Sequence, residues 1–155
     1  MKKIILALAV IFISMATTQA QKKTVVSIAV NAGIPTTTVY SFAVGGDLQA
    51  DFAATAGLKI TLSGGYENIS VKSSFGGGSA GIVPLLAGAK FNLGSEKVYG
   101  HAQLGYSVGT AKGSTGSFTY APSIGYYFSP NFDASIKYWG FDGFGIIGAR
   151  FAYNF

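Results

Sequence analysis

The chain has 155 residues with no Cys, 22 Gly, 12 Phe and 9 Tyr, and a formal net charge of +5. Without Cys it can hold no disulfide, thiolate metal site, Cys nucleophile or lipoprotein anchor. The mild, scattered positive charge excludes the basic clustering of a nucleic-acid binder.

Met1-Lys2-Lys3 is a basic start, Ile4 to Met15 is apolar except for Ser14, and Thr18-Gln19-Ala20 is a small-x-small site. This order predicts a secretory signal peptide over 1–20, cleaved to leave one domain over 21–155. The apolar run is shorter than the ~20 residues of a transmembrane helix. Loss of Lys2 and Lys3 leaves nine Lys+Arg against six Asp+Glu, a net +3.

From residue 24 the chain alternates. Val26, Ile28, Val30 and Ala32 share one parity, with Val25, Ser27, Ala29 and Asn31 in the other. A strand has a side-chain period of two, so each set takes one face. Pro35 interrupts the pattern, because it cannot serve a central ladder. Residues 39–52 set Tyr40, Phe42, Val44, Leu48 and Phe52 against Ser41, Asp47, Gln49 and Asp51. This run exceeds the usual ~5–6 residues of a globular strand and suits a tilted bilayer crossing.

Residues 53–56 read as a tight connection. Leu58, Ile60, Leu62 and Tyr66 then oppose Lys59, Thr61 and Ser63. The stretch 67–80, beginning at Glu67, ending at Ala80 and containing Gly76-Gly77-Gly78, reads as the one long flexible loop. Val83, Leu85, Ala87, Ala89 and Phe91 follow, with Pro84 expected near the loop end and Lys90 in the opposite parity. Four further alternating runs fall at 98–108, 117–128, 132–139 and from 144 to the end. The expected architecture is all-β: an eight-stranded antiparallel up-and-down transmembrane β-barrel.

Two patterns support the membrane. Outward aromatics gather in two belts: Tyr40, Phe42, Tyr66, Tyr106, Phe118, Tyr120, Tyr138 and Phe144 toward the loops, and Phe52, Phe91, Tyr126, Phe128, Phe132, Tyr153 and Phe155 toward the turns. The mid-strand charges Asp47, Asp51, Lys59, Lys90, Asp133, Lys137 and Arg150 all fall in the inward parity. A lipid-facing Lys or Arg costs about 2–4 kcal/mol at the midplane.

The stretches GIVPLLAGAKFNL (81–93), VYGHAQLGYSVG (98–109) and GARFAYNF (148–155) resemble the small eight-stranded outer-membrane β-barrel family of OmpA/OmpX-like architecture. The resemblance implies a cell outer-membrane protein with no separate periplasmic domain. It implies that Phe151, Tyr153 and Phe155 form a terminal assembly signal, read by the barrel assembly machinery. It carries over no active-site residue.

An eight-stranded barrel is filled by its own side chains. Asp47, Asp51, Lys59, Lys90, Asp133, Lys137 and Arg150, with His101, are therefore expected to form a lumenal polar network, since buried charges persist when paired. Arg150, the sole Arg, is expected to anchor it. His101 with Ser107 or Ser123 would be the sole catalytic arrangement, but its inward parity keeps it from a lipid substrate. Trp139 points inward near the loop rim and is expected to pack there. No metal-ligand spacing and no cofactor motif appears. The expected role is non-enzymatic: a monomeric structural or interaction protein of the cell envelope, embedded in outer-membrane lipid, with no nucleic-acid partner. The competing readings are a narrow pore for ions or small solutes, and an exported lipocalin-like binder with its parity reversed.

Overall fold

Strands with one apolar and one polar-or-small face bury every polar face at once only when the sheet closes on itself. The computed structural model describes residues 24–155 except Lys112, and the expected signal peptide at 1–20 lies outside the described residues. The strands are β1 (Thr24–Pro35), β2 (Tyr40–Thr55), β3 (Leu58–Val71), β4 (Ser79–Asn92), β5 (Val98–Gly109), β6 (Gly116–Ser129), β7 (Phe132–Gly140) and β8 (Gly145–Asn154). They form a closed barrel in sequence order. β8 closes on β1 from Ser27↔Asn154 to Pro35↔Ile146. The Phe155 N–H adds a bond to the Val26 carbonyl at 2.9 Å.

The faces divide as the alternation requires. Leu48, Leu104 and Ile136 are 59%, 58% and 60% exposed, whereas Thr61, Gln103 and Thr119 are at most 1% exposed. The apolar face is outside and the polar face inside, opposite to a soluble binder's barrel.

The β3–β4 connection departs from expectation. β3 runs on to Val71 and β4 begins at Ser79, so the loop is only 72–78, with a 3-10 turn at Ser73–Phe75. Glu67 is a strand residue, 4% exposed and inside the barrel. The polar outward positions Asn68 and Ser70 had masked the strand, because past the aromatic belt no apolar face is needed. The first turn is also shorter than expected: β2 extends to Thr55, leaving Ala56 and Gly57.

Tyr40 and Phe144 are not girdle residues. They pack on each other, with ring centroids 5.4 Å apart, against the buried cluster at the loop end. A register irregularity between Tyr40 and Ala43 re-aims Tyr40 away from the outer face.

Pro84 lies within β4 rather than at its loop end. The β3–β4 ladder passes from Gly64↔Leu85 to Glu67↔Ile82 without a change of register, leaving a gap beside Pro84. Toward β5 the same residue stays in register with Ser107. Pro122 repeats this: β6–β7 passes from Ser123↔Lys137 to Tyr120↔Gly140, while Pro122 stays opposite Ala102 of β5. Proline brings no N–H, so one flank of each residue is left unzipped.

Candidate functional site

The lumen brings the polar side chains of all eight strands together. Its large members fit because inward glycines stand opposite them. Gly45 faces Glu67, Gly65 faces Asp47, Gly88 faces Gln103 and Gly125 faces Tyr99. A Cβ on any of these four glycines would collide with the opposing side chain. Alternation of large and small residues across strands fills the narrow bore.

At the turn end, Lys90 pairs with Asp51 at 2.8 Å, and Gln49 donates to the other Asp51 oxygen at 2.6 Å. The Tyr99 hydroxyl donates to Asp133 at 2.5 Å, and Asn154 Nδ2 donates to the same carboxylate at 3.0 Å. The Lys90 ammonium lies 4.7 Å from the Tyr99 ring centroid, and Tyr99 packs on Tyr127 at 4.9 Å. Lys59, half-buried, places its ammonium 5.5 Å over Tyr127.

At mid-height Arg150 grips Asp47. Nε donates at 3.0 Å to Oδ2, and Nη2 donates at 2.7 Å to Oδ1. A planar guanidinium suits this bidentate grip. Asn31 Nδ2 bridges the acids, donating to Asp47 at 3.1 Å and Glu67 at 2.6 Å. Lys137 donates to Gln103 at 2.7 Å and lies 4.8 Å over the Trp139 ring. Gln103 in turn donates to Ser63 at 2.8 Å.

All eight residues expected in the network face the lumen. Sequence reading missed Glu67, which makes four acids (Asp47, Asp51, Glu67, Asp133) against four bases (Lys59, Lys90, Lys137, Arg150). It also missed the uncharged linkers Asn31, Gln49, Tyr99, Gln103 and Asn154. Their shared parity with the charges was the available signal. His101 Nε2 is 2.8 Å from Thr61 Oγ1. The Ser107 hydroxyl accepts from Thr119 at 2.7 Å, and Ser123 reaches only the His101 backbone carbonyl, at 3.5 Å. These bonds give His101 and the two serines structural partners in place of a relay.

The loop end of the lumen is apolar, contrary to a uniformly polar interior. Ala43, Ile69, Leu86, Ala121, Trp139, Phe141 and Ile146 form one buried cluster. Trp139, expected to pack inward near the loop rim, is a member of this cluster and 3% exposed. Phe141 stacks on Phe144 at 4.9 Å in the turn above it. No helix among the described residues is long and apolar enough to cross a membrane.

No protein-family model and no curated protein matches the sequence. Solved structures do match. The attachment invasion locus protein Ail of Yersinia pestis superposes with a TM-score of 0.60 at 18% identity, over 85% of this chain and 97% of that one. The N-terminal β-barrel domain of Pseudomonas aeruginosa OprF gives 0.60 at 17% identity, over 87% and 100%. A de novo designed transmembrane β-barrel gives 0.60 at 18% identity, over 84% and 95%. A designed chain with this architecture underlines that the fold alone assigns no activity. The chain has the fold of the small eight-stranded outer-membrane β-barrels, OmpA/OmpX-like in architecture.

Proposed function

We propose that this is a non-enzymatic outer-membrane protein with a structural or interaction role in the cell envelope. It crosses the membrane as a monomeric barrel whose lumen is plugged by its own side chains. The carrying observation is the lumen itself: acids and bases of equal number meet through hydrogen bonds from facing strands, beneath an apolar cap. A solute would have to displace paired, desolvated charges, which costs several kcal/mol for each pair broken. The apolar outer face, including Val30, Leu48, Leu104 and Ile136, matches a lipid environment. Phe151, Tyr153 and Phe155 serve as the signal that the assembly machinery reads, after export directed by residues 1–20.

Two measurements test the reading. Protein reconstituted in planar bilayers should show no single-channel steps; regular steps from the wild type would replace the plugged barrel by the narrow pore. The mature protein should require detergent or lipid to stay dispersed. A soluble monomer in plain buffer would overturn the membrane assignment and favour the exported binder.

A further inference from the structure

β3 and β4 continue past the loop-side aromatic belt, and their outer face changes chemistry there. Tyr66, 46% exposed, is the last belt residue of β3, and Asn68 and Ser70 follow it in the same outward parity. On β4, Gly81 stands opposite Asn68, and Ser79 stands opposite Ser70. From Tyr66 to Ser70 the strand runs about 13 Å along its own axis, which carries this polar face above the hydrocarbon. Among the described residues, the Asn68 amide and the Ser70 and Ser79 hydroxyls have no hydrogen-bond partner.

The floor of this face is Gly81. A Cβ there would collide with the Tyr66 hydroxyl and with Thr110 Oγ1, so two hydroxyls converge over the glycine. Thr110 is held by its backbone N–H and its Oγ1, which donate to the Gly81 carbonyl at 2.8 Å and 3.2 Å. The Tyr66 ring leans onto β4 and leaves its β2 flank open: Gly46, paired with Tyr66, has no side chain over it. On that flank Gly46 and Gly64 floor an outward groove walled by Ile28 and Leu48. A polar notch and an apolar groove thus meet at one tyrosine.

We propose that the notch binds a sugar of an outer-leaflet glycolipid, with one acyl chain of that lipid in the groove beside Tyr66. The proposal rests on the outer-membrane reading above and adds a ligand to it. A pyranose carries hydroxyls that both donate and accept, which match the convergent groups of Asn68, Ser70, Ser79, Tyr66 and Thr110. Its apolar C–H face suits the exposed Tyr66 ring. A phosphocholine headgroup has no O–H or N–H to donate, so it leaves the acceptors of the notch unmatched. A free sugar lacks the chain that the groove receives, which favours the lipid-borne one.

The probe for the test is lipid A, a diglucosamine bisphosphate carrying acyl chains. The full mature chain in detergent micelles is titrated with it and binding is counted by native mass spectrometry. Heat-modifiable mobility confirms that each variant is folded. Wild type should hold one copy, and excess phosphatidylcholine should not displace it. Asn68→Ala and Ser79→Ala should each weaken binding about fivefold, the worth of one hydrogen bond. Tyr66→Leu should weaken it further, whereas Tyr120→Leu, three strands around the belt, should leave it unchanged. Binding indifferent to the changes at Asn68, Ser79 and Tyr66, or displaced by phosphatidylcholine, would overturn the glycolipid site while preserving the membrane barrel. Equal affinity for the deacylated diglucosamine bisphosphate would overturn the lipid as its source. Wild type that fails to float with phosphatidylcholine vesicles would remove the membrane reading and the proposal with it.

Discussion

Arg150 of β8 holds Asp47 of β2 across the lumen by a bidentate pair, with Nη2 to Oδ1 at 2.7 Å and Nε to Oδ2 at 3.0 Å. β1 separates these two strands in the sheet. The bond therefore spans the closure between β1 and β8 and depends on a closed barrel.

Removal of one partner should be costly, because it strands the other charge in a desolvated site. Arg150→Ala is expected to lower unfolding stability by about 3–5 kcal/mol. Arg150→Lys should recover only part, since a point charge cannot match the fork. Urea unfolding in lipid vesicles measures both; a lysine variant equal to wild type would reduce the pair to simple charge neutralisation.

Glu67, a buried acid within β3, offers a graded test of the network. Glu67→Ala removes the shorter of the two bonds that the Asn31 amide donates and should destabilise the barrel by about 1–3 kcal/mol. Glu67→Gln keeps an acceptor oxygen and should cost less. Equal losses in the two variants, read by the same unfolding assay, would exclude a role for the Asn31 bond.

Trp139→Ala removes the largest side chain of the buried apolar cluster. A buried Trp truncated to Ala typically costs about 3–5 kcal/mol. Thermal unfolding in detergent should show the loss, and Trp139→Phe should recover most of it. A neutral Trp139→Ala would place the tryptophan outside the packed interior.

Position relative to the bilayer can be read from lipid-facing charge. Leu104→Lys, in mid-strand, should cost about 2–4 kcal/mol, and Phe128→Lys, at the turn-side belt, about 0–1 kcal/mol. Vesicle unfolding that ranks the two in the reverse order would shift the membrane slab along the barrel.

Deletion of Phe155 should impair outer-membrane assembly while export continues. The measure is the amount of heat-modifiable, membrane-inserted protein against the total exported protein. An unchanged ratio would show that the last residue contributes only its edge pairing with Val26.

Alternation alone was enough to read eight strands, their outward and inward faces, the closure of the last strand on the first, and the inward side of every charge in the expected network. Those properties depend on a period of two, which a linear sequence displays. The tertiary structure decided what a period cannot express. Glu67 joined the network only because β3 continues above the belt, where an outer face of Asn68 and Ser70 is allowed. Tyr40 and Phe144 left the girdle for the lumen because a register irregularity turned one of them and a tight turn carried the other. The partner of each charge, such as Asp51 for Lys90 or Asp47 for Arg150, depends on height and angle around a closed bore. Those coordinates arise from strand register summed around the sheet, so they exist only once the barrel has closed.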